Sequence, residues 1–104
     1  MFNGIYSLYI DYLIPIIKEN NFERVSTNSL CYIFEVGFGE DVVIPKRPLY
    51  NQVELYICDS NTKGIKHIYI SREKNYKKII KNTILFLTIR RRHNLLKHLN
   101  EANF

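Results

Sequence analysis

The residues of this chain best equipped for intermolecular chemistry are its lysines and arginines, and they are unevenly spread. Residues 65–104 carry ten Lys/Arg against two Asp/Glu, a net of +8, and residues 1–64 carry five against eight, a net of −3; the whole is +5 at pH 7. Such asymmetry creates a field that attracts an anionic partner and speeds its encounter. Lys77, Lys78 and Lys81 form one basic patch; Arg90, Arg91, Arg92, His93 and Lys97 form a second. Guanidinium groups grip phosphates with two parallel hydrogen bonds, and each neutralised phosphate adds salt-dependent affinity by releasing a counterion. An acidic protein surface would suit the same charges. They would have no partner at all if they form a solvated helix face, offset in places by Glu35, Glu40, Asp41 or Glu54 across the fold.

Other reactive residue types do not assemble into a motif. His93 and His98 are five apart, so they do not share a helix face as an i, i+4 pair of metal ligands would, and His67 stands alone near a turn. Cys31 and Cys58 have no metal-ligand spacing and read as two buried free thiols, which fits a cytoplasmic setting. Glu35, Asp41, Glu54 and Asp59 could meet at a sheet edge, but no acidic-x-Lys strand pattern accompanies them. Phosphate-cradling loops, dinucleotide turns and nucleophile elbows are missing, and no metal or cofactor is expected. Tyr32, Tyr56 and Tyr69 could stack on single-stranded bases as the aromatics of an RNA-recognition sheet do. The aromatic-glycine motifs of that sheet are not present, and Tyr32 alternates in phase with Leu30 and Phe34, which places it toward a core.

Near the N-terminus, Gly4-Ile5-Tyr6 followed by Tyr9-Ile10-Asp11 resembles the signature of the GIY-YIG nucleases. That family separates the two tripeptides by enough chain for a turn between paired strands and ends the second with Gly. Here only Ser7 and Leu8 intervene, Asp11 stands in place of the Gly, and the stretch reads as helix. No residue role is carried over.

The elements that must position these residues follow from apolar spacing. Ile5, Leu8, Tyr9, Tyr12, Leu13, Ile16 and Ile17 make one stripe of a helix over residues 3–20, with Asn3, Ser7, Asp11 and Lys18 opposite. Pro15 predicts a kink or a late start, and Asn20 and Asn21 predict its end. The apolar run over residues 5–17 contains Asp11 and lacks both a preceding Lys or Arg and a small-residue cleavage site, so it reads as a core helix, not a signal peptide. Strand-like alternation follows over residues 30–36, 53–58 and 66–71, with brief strands conceivable at 22–25 and 42–44. Residues 37–41 and 59–64 read as turns, and Pro45 and Pro48 impose an extended stretch. With Ser71 as N-cap, residues from Arg72 onward read as helix. Leu95, Leu96 and Leu99, however, point about 150° away from Tyr76, Ile79 and Ile80 at ~100° per residue. The explanations for that phase break are two helices around a break, a strand over residues 83–89, or one long helix whose far end packs on something else.

With 104 residues, 46% hydrophobic and 24% charged, the chain is expected to be a single α+β domain over residues 1–104. It would comprise an N-terminal helix, a three- to four-stranded antiparallel sheet and a long basic C-terminal helical region. The leading expectation is a non-enzymatic binding protein that contacts nucleic acid or a nucleoprotein complex through Lys77, Lys78, Lys81, Arg90, Arg91, Arg92 and Lys97. The alternative is a phage- or mobile-element-type protein inhibitor, anti-CRISPR-like in size and composition, acting on a host enzyme or defence complex. A homodimer through Leu95, Leu96 and Leu99 is a further expectation, and no apolar stretch is long enough for a membrane span.

Overall fold

The N-terminal stripe forms one helix, α1 (Gly4–Glu19), in the computed structural model, which describes residues 4–47 and 52–102. The readings on Asn3 and Pro48 lie outside the described residues. Leu13 and Ile17, one turn apart, are fully buried, whereas Asp11 and Lys18 face solvent. Pro15 lies inside the helix, so the late start is not found. It sits on the exposed side, where water can satisfy the carbonyl that its missing N–H leaves unpaired. Residues 4–11 belong to this helix and to no strand pair. The Asn pair ends it: Asn20 Nδ2 donates to the Ile16 carbonyl at 2.9 Å, and Asn21 takes a left-handed φ of 63°.

Five strands follow: β1 (Arg24–Thr27), β2 (Cys31–Glu35), β3 (Glu40–Pro45), β4 (Val53–Asp59) and β5 (Ile65–Ser71). They form one antiparallel meander in chain order. The count exceeds the expected three or four because the short, mostly polar β1 pairs with β2 at the sheet edge. Residues 37–41 are not all turn. Glu40 and Asp41 already pair with Asp59 and Cys58 in β3, and the reversal is confined to Gly37, Phe38 and Gly39. Gly37 and Gly39 have φ of 114° and 86°, values that side-chain-bearing residues rarely adopt, and they flank Phe38 at 53°.

Strand alternation sorts the side chains. Phe34, Val42, Ile44, Val53, Leu55 and Ile57 face the helices and are buried with Leu13, Ile17, Ile79, Ile80 and Leu87 in one core. On the opposite face Ile33, Val43, Tyr56 and Ile68 stand in register across four strands. Cys31 and Cys58 are free thiols, Cys58 buried and Cys31 only half-buried. Burial, and then the nearby Asp41 carboxylate, push the Cys58 thiol up.

The last element is an uninterrupted helix, α2 (Tyr76–Ala102), of 27 residues, about 40 Å long at 1.5 Å per residue. Residues 83–89 are therefore helix, neither strand nor break. It begins after the expected Ser71, whose Oγ accepts the Glu73 amide in the preceding turn. Asn75 is the cap instead, its Oδ1 accepting the Lys77 amide at 3.0 Å. The phase break is a change of chemistry along one stripe: Ile79, Ile80, Thr83 and Leu87 face inward, then Arg90, Arg91 and Asn94 continue in phase. Leu85, Ile89, Leu95, Leu96 and Leu99 are left exposed. Among the described residues no helix is long and apolar enough to cross a membrane.

Candidate interface on the basic helix

Glu40 organises the C-terminal half of α2. It shares a sheet face with Val42 and Ile44, which turns its carboxylate toward the helix, and it is 2% exposed. Arg90 reaches it with two parallel bonds, Nε to Oε1 at 2.8 Å and Nη2 to Oε2 at 2.9 Å. Asn94 Nδ2 donates to Oε1 at 2.8 Å and to the Gly37 carbonyl at 3.2 Å. Lys66 completes the set. It is the extra residue of a bulge in β5, where Ile57 pairs with His67 and Cys58 with Ile65, and bulges re-aim side chains in this way. Burial alone would raise the Glu40 pKa. The bonds from Arg90, Lys66 and Asn94 outweigh it and hold the carboxyl at about 2.

Arg91 is also turned inward. Its guanidinium lies 3.9 Å from the centroid of Phe22, and Nη1 donates to the Asn20 carbonyl at 3.0 Å. The run Arg90-Arg91-Arg92 is thus dismantled: two members tie α2 to β3 and to the end of α1, and only Arg92 is exposed. Lys77, Lys78 and Lys81 are all exposed. With Arg92 they fall within about 100° around the helix axis and span about 22 Å of its length. No ion pair engages any of the four among the described residues, where both ion pairs converge on Glu40. Lys97 is exposed but projects from another side, lining a polar cavity of about 300 Å³ with Glu40, Lys66 and His98. His98 stacks on Phe38 at 4.4 Å between centroids, so the Gly37-Phe38-Gly39 turn braces the last turns of α2.

Beside the lysines lies an apolar groove of about 470 Å³ between the two helices. Tyr12 and Ile16 form one wall, Tyr76, Ile80 and Ile84 the other, and Lys77 and Lys81 stand on its rim. Tyr12 and Tyr76 stack across it at 5.6 Å.

The remaining candidates are accounted for by the fold. Tyr32 and Tyr69 pack against the core, with Lys46 over the Tyr32 ring and Phe86 stacked on Tyr69. Tyr56 donates its hydroxyl to Glu54 at 3.1 Å. His67 stacks on Phe86. Asp59 accepts the amides of Thr62 and Asn61, which hold its carboxyl below the usual range and fix the β4–β5 turn. Of the four carboxylates, Glu35 and Asp41 are register partners across β2 and β3 while Asp59 pairs with Glu40, and no group of three His, Cys, Asp or Glu among the described residues could hold a metal. Asn94 is the residue of this network that spacing did not single out, whereas Glu40 was among the four carboxylates expected to offset helix charges, and it does so for Arg90. The available signal was phase: Glu40 alternates with Val42 and Ile44, and Asn94 lies seven residues after Leu87.

No protein-family model, curated protein or solved structure matches this chain.

Proposed function

We propose that this chain is a non-enzymatic binding protein whose contact surface is the outward side of α2, and that its partner presents phosphates, as nucleic acid or a nucleoprotein complex does. The observation that carries this reading is the set of Lys77, Lys78, Lys81 and Arg92, exposed on one side of the helix and without an ion pair among the described residues. Arg90 and Arg91 are structural in this reading and Lys97 is peripheral. The contacts are to phosphates, which give affinity without base discrimination.

A second reading is a protein inhibitor that acts by surface complementarity. The groove between the helices favours it, since apolar walls with Lys77 and Lys81 on the rim suit an acidic amphipathic segment of a partner protein. Fluorescence anisotropy of labelled single- and double-stranded DNA and RNA separates the two. Under the first reading a charge reversal at Lys77, Lys78 and Lys81 weakens binding at least 100-fold at low salt, with the fold intact by circular dichroism. No binding of any nucleic acid at low salt would remove the first reading and leave the groove as the surface to pursue.

A further inference from the structure

The exposed apolar residues of α2 are not scattered. Leu85, Ile89, Leu96 and Leu99 are 56%, 60%, 52% and 49% exposed. With Arg92 they repeat at intervals of four, three, four and three residues along the outward side of the helix, the spacing of a coiled-coil seam. We propose that α2 pairs with α2 of a second copy of this chain through this seam, with the two helices antiparallel.

Three observations select a second copy in that orientation. The first is charge. A parallel pair would set Arg92 against Arg92 and bring both lysine patches side by side. In the antiparallel pair that overlaps all four apolar seam residues, Arg92 meets Ile89 of the second copy, and its stem can lie along that residue while the guanidinium reaches water. Lys77 and Lys78 then fall outside the overlap of the two helices. The second observation is the flanks. Thr88, Leu95 and Ala102 border the seam on one side, and His93 and Asn100 on the other, so over residues 85–102 no fixed charge apart from Arg92 opposes pairing, and Lys81 falls opposite the neutral Asn100 at the edge of the overlap. The third is area. A half-exposed Leu or Ile can lose roughly 80–100 Å², so the four seam residues and Leu95 bury about 450 Å² per copy, a total near the low end of specific interfaces once the Arg92 stem is added. That area fits a dimer of micromolar strength. Pairing covers Arg92, so of the surface proposed above for an anionic partner it leaves Lys77 and Lys78 free at the two ends of the dimer.

Sedimentation equilibrium of the full chain tests this. A dimer mass is expected at 100 µM, with dissociation in the micromolar range. Higher salt tightens the dimer, the reverse of its effect on phosphate binding. Leu96→Asp, at an exposed position, should weaken association at least 30-fold with an unchanged unfolding midpoint, and Arg92→Leu should strengthen it about tenfold. Oxidation of a mixture of Leu85→Cys and Leu96→Cys chains should crosslink the two variants to each other in the antiparallel pair, and should not crosslink Leu85→Cys to itself. A monomeric mass at 500 µM in 0.5 M salt would overturn the proposal, as would association indifferent to both seam substitutions. Crosslinking of Leu85→Cys to itself would overturn the antiparallel arrangement.

Discussion

Glu40 is the residue on which the C-terminal half of the molecule turns, because it is a nearly fully buried carboxylate with charged donors from β5 and α2. Removing one partner of a buried pair costs more than the pair itself contributes, since the remaining charge loses its compensation. Glu40→Gln should therefore destabilise the fold by about 2–3 kcal/mol in urea unfolding, moderated because Arg90 and Lys66 retain partial access to water. The pH dependence has a definite sign. The Glu40 carboxyl is held at about 2 in the folded chain against 4.5 ordinarily, so its contribution is present above about pH 5 and is lost as pH falls toward 2. That contribution is up to ~3 kcal/mol, and the stability gap between the native chain and Glu40→Gln should close between pH 6 and pH 2.5. A gap that stays constant over this range would show that the carboxylate is not the group responsible. Adjacent arginines should likewise behave differently. Arg91→Ala loses the contact with Phe22 and the bond to Asn20, costing about 1–2 kcal/mol, whereas Arg92→Ala should stay within about 0.5 kcal/mol. Thermal unfolding of the two variants checks this directly.

At the scale of elements, α2 depends on a cap that lies four residues beyond the one its sequence suggests. Asn75→Ala should cost about 1 kcal/mol and Ser71→Ala only a few tenths, because only Asn75 accepts an amide of the first turn. Both are exposed to a simple comparison of unfolding midpoints. The two helices and strands β2, β4 and β5 were legible because burial imposes a period on apolar residues, whereas β3 was anticipated only over its apolar residues 42–44. Segment Arg24–Thr27 was anticipated only as a brief strand at residues 22–25, since a short edge strand of mostly polar residues has little alternation to fix its bounds. The inward course of Arg90, Arg91 and Asn94 was not legible. Polar letters at helical spacing read as a solvated face unless a buried acceptor waits opposite them, and Glu40 is that acceptor only once β3 is in place. The apparent rotation of the apolar stripe was therefore real as a pattern, but it arises from a polar seam inside and leucines outside one continuous helix.

At the scale of the whole molecule, the net charge of +5 overstates what a partner can use. Arg90, Arg91 and Lys66 are spent inside the fold, and Lys97 projects away from the others. What remains on one side is Lys77, Lys78, Lys81 and Arg92, with leucines interleaved below the lysines. The measurement that tests their role most directly is the salt dependence of nucleic-acid affinity, from 50 to 300 mM. Four cationic side chains, each displacing a counterion condensed on the nucleic acid, predict a slope of log affinity against log salt of about −3 to −4, reduced in magnitude by about one for each of Lys77→Gln, Lys78→Gln and Lys81→Gln. Arg91→Ala should leave the slope unchanged. A slope unaffected by the lysine substitutions, or no measurable affinity at 50 mM salt, would contradict a phosphate-binding role for α2.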